Sequence, residues 1–496
     1  MNISIQKAKN GEETALADNC FLHSGYAPSK EAERYVQGLE IFYQPQVIVV
    51  CEPALSYVAD FLRQRFPSSK IGAIRYTDFF ASFNSKFDFV INLFECENLE
   101  SKLENLFSEE ILLSTFFIPW QPSSKVFPEK DRQCWLSIKS CLERAKTLLI
   151  TRQYFEKKWL KNSANFLRYV KNPVSLINKI QLPLAIISSG PSLKSSLPLL
   201  NENRKSFFII CLSSALSVCI KNDIIPDLCM SSDGGYWAGE HLKKLYKNDI
   251  VLALTGEGFC PKALLSKSRV LPLSYPDGIS FELIKASGIN YMPVVRNGTI
   301  SGTALFWALS NSSQDIYLFG LDMAEQKGFQ HTQPNELEYN ASIKDFRINT
   351  KEKRLTASQF SSASLAIYRK WFENYNFNTE ERKIYRVINE NLKKNQLGKI
   401  IDINVKAFEN KVKYFSGISN QVHTDFFEKQ NISCDTICKR ALEHFEKISK
   451  EEVWKKQLFP LDYLLLSHNP NNQDAENKIK KSFEKLSDSI KGILNG

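Results

Sequence analysis

The sequence predicts an α/β protein with a central Rossmann-like, mostly parallel sheet, a smaller N-terminal α/β domain and a helical C-terminal region. Three observations lead there. Between residues 181 and 340, short and almost fully apolar runs are separated by segments of helical spacing, as in strands covered on both faces. Twelve of the twenty glycines fall in that stretch, marking turns, and only four fall after residue 340, where Lys, Glu, Leu and Phe recur at helical spacing. The 496 residues are about three times the length of an ordinary domain. The expected division is an N-terminal domain over 1–150, a central domain over 151–405 with a helical lead-in, and a helical domain over 406–496.

In the first domain, VIVV (47–50), KIGAIRY (70–76) and FDFVINLF (87–94) read as strands, with helices such as SYVADFLRQRF between them. Residues from about 132 to 180 have helical spacing and form the lead-in. The central strands are LAIISSG (184–190), FFIICL (207–212), LCMSSD (228–233), IVLALTG (250–256), RVLPLS (269–274), YMPVV (291–295) and IYLFGLD (316–322). A polar loop follows, then a helix from about Ser358 to Asn374, and RVINEN and GKIIDI read as final strands. From about 406 the pattern is helical to the end.

Composition narrows the function classes. Hydrophobic residues make up 43% and charged residues 24%, a globular balance that excludes a disordered or low-complexity chain. The net charge of +10 is concentrated, because residues 341–405 hold 13 basic against 7 acidic side chains. A basic coat for nucleic acid is excluded. The stretch is either a solvated helix face or a local attraction for an anionic substrate. No segment has the apolar length of a membrane span, and the N-terminus lacks the apolar core of a signal peptide, so a cytoplasmic protein without membrane insertion is expected. The eleven cysteines are scattered and form no short zinc-holding pairs, which predicts reduced, mostly buried thiols.

Chemistry-bearing residues cluster at the ends of the central strands. LAIISSGPSLKSS (184–196) is a strand that enters a helix through Gly190, Pro191 and Ser192, and the open N–H groups of a helix start attract phosphate or carboxylate. It is neither a Walker loop nor the dinucleotide fingerprint. Ser213 ends the next strand. Asp233, before two glycines, ends the one after, and is read either as a ligand group or as a turn former. In RNGTISGT (296–303), Ser301, Gly302 and Thr303 open a helix with hydroxyls and amides, a second anion seat. Asp322 ends the strand IYLFGLD, and His331 follows in the polar loop, where an imidazole can serve as general base. Carboxyl ends of parallel strands are where open α/β sheets bind ligands.

Taken in order, GPSL after a strand, IIPD before SSD, SGT opening a helix, and IYLFGLDM followed by His331 resemble the motility-associated factor (Maf) glycosyltransferases, whose central domain is MptE-like. FLHSGYAPSKEAERYV (21–36) and the segment 389–403 extend the resemblance over roughly residues 20–405. GPSL, SGT and GLD are also similar to elements of Rossmann-like bacterial sialyltransferases. The resemblance implies inverting transfer of a nonulosonic acid, pseudaminic or legionaminic acid, from a CMP-activated donor to Ser or Thr of flagellin. No cofactor or metal is required beyond that donor.

By the same resemblance, Gly190, Pro191, Ser192, Ser213, Asp233, Ser301, Gly302 and Thr303 would bind the donor, with His331 as base and Asp322 beside it. The sequence departs from the family at CEPALSY (51–57), which lacks the glycine of a nucleotide-binding turn. Two other readings stand beside transfer. One is an MptE-like pterin diphosphokinase in which Asp233 and Asp322 hold Mg²⁺, and the other is a flagellin-binding chaperone without turnover.

Overall fold

The computed structural model describes all residues except 1, 42, 96–97, 324–330, 354–362, 376, 378–381, 390–395, 416–424 and 470–471. The loop before His331 and Arg354 of the basic stretch therefore lie outside the described residues, as does Cys96. The chain packs as two units, residues 1–154 with 455–484, and residues 155–454 with 485–496.

The first unit opens with an antiparallel set that sequence reasoning did not anticipate, β1 (Ile3–Lys7), β2 (Glu13–Ala17) and β3 (Cys20–Phe21). Its main sheet is parallel and holds the three expected strands, β4 (Val47–Cys51), β5 (Lys70–Arg75) and β6 (Phe89–Asn92), plus β7 (Phe116–Pro119), in the order β6-β5-β4-β7. β4 is buried along its whole length, as its unbroken apolar run requires. The segment 455–484 joins this unit through Asp462, which accepts from Gln153 Nε2 at 2.9 Å and pairs with Lys478 Nζ at 2.8 Å.

The turn after β4 shows how a chain does without glycine. Glu52, Ala54 and Ser56 all have positive φ, at 43°, 46° and 64°. The guanidinium of Arg75, itself fully buried, fills the turn: Nη1 donates to the Ala54 carbonyl at 2.8 Å and meets Glu52 Oε1 at 3.1 Å, and Nη2 donates to Ser56 Oγ at 2.8 Å. Backbone strain is held here by an ion pair out of reach of water.

The second unit is built on β8 (Asn172–Leu176), β9 (Leu184–Ile187), β10 (Phe208–Leu212), β11 (Leu228–Ser231), β12 (Val251–Thr255), β13 (Arg269–Ser274), β14 (Met292–Pro293), β15 (Ile316–Phe319), β16 (Ile384–Ile388), β17 (Ile401–Asn404) and β18 (Phe427–Lys429). The order is β17-β16-β15-β9-β10-β11-β12-β13-β8-β18, with β14 beside β13. All neighbours are parallel except β18, which runs antiparallel to β8. Strands occur at the seven central positions and at both positions expected after the helix, several of them shorter than read: β14 is two residues long, and the RVINEN strand is Ile384–Ile388. β8 and β18 are additions, and among the described residues from Val405 onward β18 is the strand in a set of elements that are otherwise helices. A core of Leu184, Ile186, Phe208, Ile210, Met230 and Leu271 packs against the helix Ile300–Asn311 through Ala304 and Trp307. No described helix is long and apolar enough to cross a membrane.

From β9 the chain steps outward through β10, β11, β12 and β13. It then returns to lay β15 on the other side of β9, so the topological switch point lies between β9 and β15.

Candidate functional site at the switch point

At the carboxyl ends of β9 and β15 two glycines cross. Gly190 N–H donates to the Gly320 carbonyl at 2.9 Å, after Ser188 N–H has donated to Phe319 at 2.8 Å. A Cβ on Gly190 would run into the Gly320 oxygen and lie 2.7 Å from Asp322 Oδ2. Gly320 has φ +63°, and a Cβ there would meet the Ser188 carbonyl. Glycine is thus required at both positions by the approach of one strand end to the other.

Asp322 turns back from this crossing into the Pro191–Ser196 turn, which is a 3₁₀ turn rather than the start of a regular α-helix. Its Oδ2 accepts the Ser192 amide at 2.9 Å and its Oδ1 accepts the Ser192 hydroxyl. Burial raises the Asp322 pKa, opposed by both Ser192 bonds and by the charge of Arg386. Of the amides expected to face an anion, the one at Ser192 is therefore occupied by the protein's own carboxylate.

The remaining hydroxyls meet in pairs. Ser189 Oγ lies 2.9 Å from Ser214 Oγ, and Ser188 Oγ lies 3.2 Å from Ser301 Oγ. Ser301 is on the first turn of Ile300–Asn311, whose cap is Thr299: its Oγ1 accepts from Gly302 N–H at 3.0 Å and its carbonyl from Thr303 Oγ1 at 3.2 Å. The Gly302 amide is thus also used internally, and Thr303 is buried. Ser213 is buried in the short turn Ser213–Ala215 that follows β10.

His331 is half-buried at the start of a strap that crosses this edge. Thr332 fastens it, with its N–H donating to the Ser189 carbonyl at 2.7 Å and its Oγ1 to the Gly190 carbonyl at 2.7 Å. Asn335 Nδ2 donates to the Ser214 carbonyl at 3.1 Å, while its Oδ1 caps the helix Glu336–Ser342. Burial lowers the His331 pKa, Glu338 opposes that, and His241 reinforces it. A neutral, half-buried imidazole suits a general base.

Asp233 is not part of this cluster. It is exposed at the end of β11, accepts from Gly235 N–H at 2.8 Å, and its carbonyl accepts from Phe259 N–H at 2.8 Å, the behaviour of a turn former. β11 lies three strands from β15, about 14 Å at ordinary strand spacing, so Asp233 and Asp322 do not converge on one Mg²⁺. Among the described residues, no group of three or more His, Cys, Asp or Glu side chains is placed to hold a metal.

Sequence reasoning missed the partners of the strap. Glu336 pairs with His241 Nδ1 at 2.9 Å and accepts from Ser217 Oγ. One signal was readable: Asn335 and Glu338, three apart in PNELE, have the spacing of a helix N-terminus. Nothing local marks His241 or Ser217.

Residues 157–328 match the family described as 6-hydroxymethylpterin diphosphokinase MptE-like. An uncharacterized protein of Treponema pallidum (strain Nichols) is 30% identical over 277 residues, 55% of this chain. The match spans 60% of that relative's length. Among solved structures, the Maf glycosyltransferase of Magnetospirillum magneticum AMB-1 is similar over 99% of this chain and 90% of its own, with a TM-score of 0.52 and 11% identity. Residues 157–328 are thus similar to an MptE-like domain, in a chain that shares the fold of a Maf glycosyltransferase.

Proposed function

We propose that the protein is an inverting glycosyltransferase that moves a nonulosonic acid from a CMP-sugar to Ser or Thr hydroxyls of flagellin, in the cytoplasm. The observation that carries this reading is the set of two hydroxyl pairs, Ser188–Ser301 and Ser189–Ser214, at the carboxyl end of β9, with the His331 strap tied to the Ser189 and Gly190 carbonyls. A sugar nucleotide leaves as a phosphate anion, and fixed hydroxyl donors at a strand edge stabilise that charge.

In the proposed step, His331 takes the proton of the acceptor hydroxyl as its oxygen bonds to the anomeric carbon. The bond from that carbon to the phosphate oxygen breaks, and CMP departs with the electron pair. Asp322, with both oxygens on Ser192, holds the Gly190–Ser192 turn in shape. A polypeptide acceptor suits the segment beyond the strap, where Tyr339, Ile343, Phe346 and Ile348 are 66%, 65%, 61% and 76% exposed. Lys344 and Arg347 lie among them.

The family description also names a pterin diphosphokinase, but the separation of Asp233 from Asp322 does not support the shared Mg²⁺ of that chemistry. Thermal-shift measurements with CMP, CMP-sugars, ATP and a pterin separate the readings. A shift with CMP and its sugars alone is the expected result, while stabilisation by ATP and pterin would overturn it. Intact-mass measurement of flagellin from cells with and without the protein then tests donor and acceptor together.

A further inference from the structure

The helix Ile300–Asn311 is entered through the turn Arg296–Thr299, and the arginine there has no part in the transfer step. An arginine just ahead of an anion seat is the usual ligand for the anion. Here its nitrogens are already engaged. Nη1 and Nη2 donate to the two carboxylate oxygens of Glu257 at 2.9 and 2.6 Å, and Nε donates to both oxygens of Asp277 at 3.0 and 3.1 Å. The Glu257 side chain is 7% exposed, whereas that of Asp277 is 60% exposed. The guanidinium lies 4.2 Å from the centroid of the Tyr275 ring and 5.5 Å from that of Trp159. Asn162, three residues beyond Trp159, donates to the Glu257 carbonyl at 2.9 Å. Freeing the guanidinium for a phosphate would strip a buried carboxylate of its counter-charge. Arg296 instead ties the chain after β14 to the ends of β12 and β13, where Glu257 and Asp277 stand.

From Arg296 the contacts pass along the turn into the site. Asn297 Oδ1 accepts the Thr299 amide at 3.1 Å, and a Cβ on Gly302 would meet the Asn297 carboxamide at 2.6 Å. Gly298 has φ +79°, with the Tyr368 ring 2.8 Å from where a Cβ would stand. Thr299 Oγ1 accepts the Gly302 amide at 3.0 Å, and Ser301, one residue earlier, presents its Oγ 3.2 Å from Ser188 Oγ. We propose that Arg296 is a positioning residue for the Ser301 hydroxyl: gripped by Glu257 and Asp277, it fixes the turn that aims the start of the helix, and it does not bind the donor itself. The inference deepens the transfer reading and rests on it for the role of Ser301.

Three measurements on the full chain separate a positioning residue from a donor ligand and from a bond that only stabilises the fold. The first is hydrogen exchange without any sugar nucleotide. In Arg296→Lys, which keeps the charge and loses the fork, the Gly302 amide should exchange about tenfold faster relative to the Ala253 amide within β12. The second is kinetic. Transfer kcat should fall about tenfold or more, because a displaced hydroxyl no longer meets the charge on the leaving phosphate, while CMP affinity changes by less than about twofold. The third is a double-mutant cycle. In a Ser301→Ala background, Arg296→Lys should add little to the loss of kcat, since it acts through that hydroxyl.

Unchanged relative exchange at Gly302 overturns the proposal, as does a cycle in which the two losses multiply. A loss of CMP affinity with kcat intact makes Arg296 a donor ligand and overturns it too. If the melting temperature shows that Arg296→Lys does not fold, Glu257→Gln, which spoils one arm of the fork, takes its place with the same expected directions. Because the exchange measurement needs no turnover, faster exchange at Gly302 in a protein that transfers nothing from CMP-sugars to flagellin would sink the transfer reading and leave the hold of Arg296 on the turn standing.

Discussion

Ser192 and Asp322, 130 residues apart, form a two-bond clasp in which the amide of one donates to Oδ2 of the other at 2.9 Å and the hydroxyl to Oδ1. The clasp joins the turn after β9 to the end of β15, the two strands that flank the switch point. A clasp and a proton carrier respond differently to mutation. Asp322→Ala leaves two buried donors without an acceptor and should cost about 1–3 kcal/mol. Asp322→Asn keeps one acceptor and should recover part of that stability, together with measurable transfer. Chemical denaturation and turnover on the pair would check this, and equal inactivity in two folded variants would assign Asp322 to the chemistry instead.

Replacing His331 by Ala should reduce transfer by about 10²–10⁴-fold, the ordinary worth of a general base, with little change in CMP-donor affinity. Calorimetry and single-turnover kinetics separate the two quantities. Near-normal turnover would remove His331 as base.

Gly190→Val should harm both stability and donor binding, because its side chain would strike the Gly320 carbonyl and the Asp322 carboxylate. Overpacking of this kind costs about 1–3 kcal/mol. A variant with unaltered melting and unaltered CMP affinity would contradict the crossing described above.

The first unit should lose stability in mild acid through one residue. His23 is buried between the rings of Tyr57 and Trp120, accepts the Leu55 amide at Nε2, and has its pKa lowered to about 3, first by burial and then by Arg75. The unfolded chain takes up this proton near pH 6.5 while the folded chain refuses it, so stability present above pH 6.5 is lost as pH falls toward about 3. By pH 5 the loss should be about 2 kcal/mol. Hydrogen exchange in the strand Val47–Cys51 at pH 7 and pH 5 would read it, and His23→Gln should flatten the difference.

Ala54→Gly should stabilise the same unit by about 1 kcal/mol, since glycine accepts a φ of 46° without the steric cost that alanine bears. A lower denaturation midpoint would mean that the Arg75 contacts do not hold the turn as described.

What could be read from the sequence follows from where order is local. β9, β10, β11, β12, β13 and β15 were visible because a strand buried on both faces must be apolar throughout, and few other structures require that. β1 was not, since most of its residues are exposed, and β18 is three residues long with one buried side chain. At the site, Gly190 and Asp322 stood out because their surroundings demand a glycine turn and a strand end. Glu336 and His241 did not: they are 95 residues apart, and a contact between two polar side chains leaves no periodic mark on either helix. Asp233 stayed open between two readings for the converse reason, since a carboxylate before two glycines looks the same in sequence whether it binds a ligand or its own turn.

Among the described residues the chain has one parallel sheet and one mostly parallel sheet, and Arg75 makes them unequal. The turn that follows the first strand of the N-terminal parallel sheet is filled by a guanidinium that already answers a carboxylate, a carbonyl and a hydroxyl. An incoming phosphate would have to displace all three and would leave the buried Glu52 carboxylate without its guanidinium, held by the Tyr76 and Ala54 amides alone. Titrations with CMP-sugars should therefore saturate at one equivalent per chain.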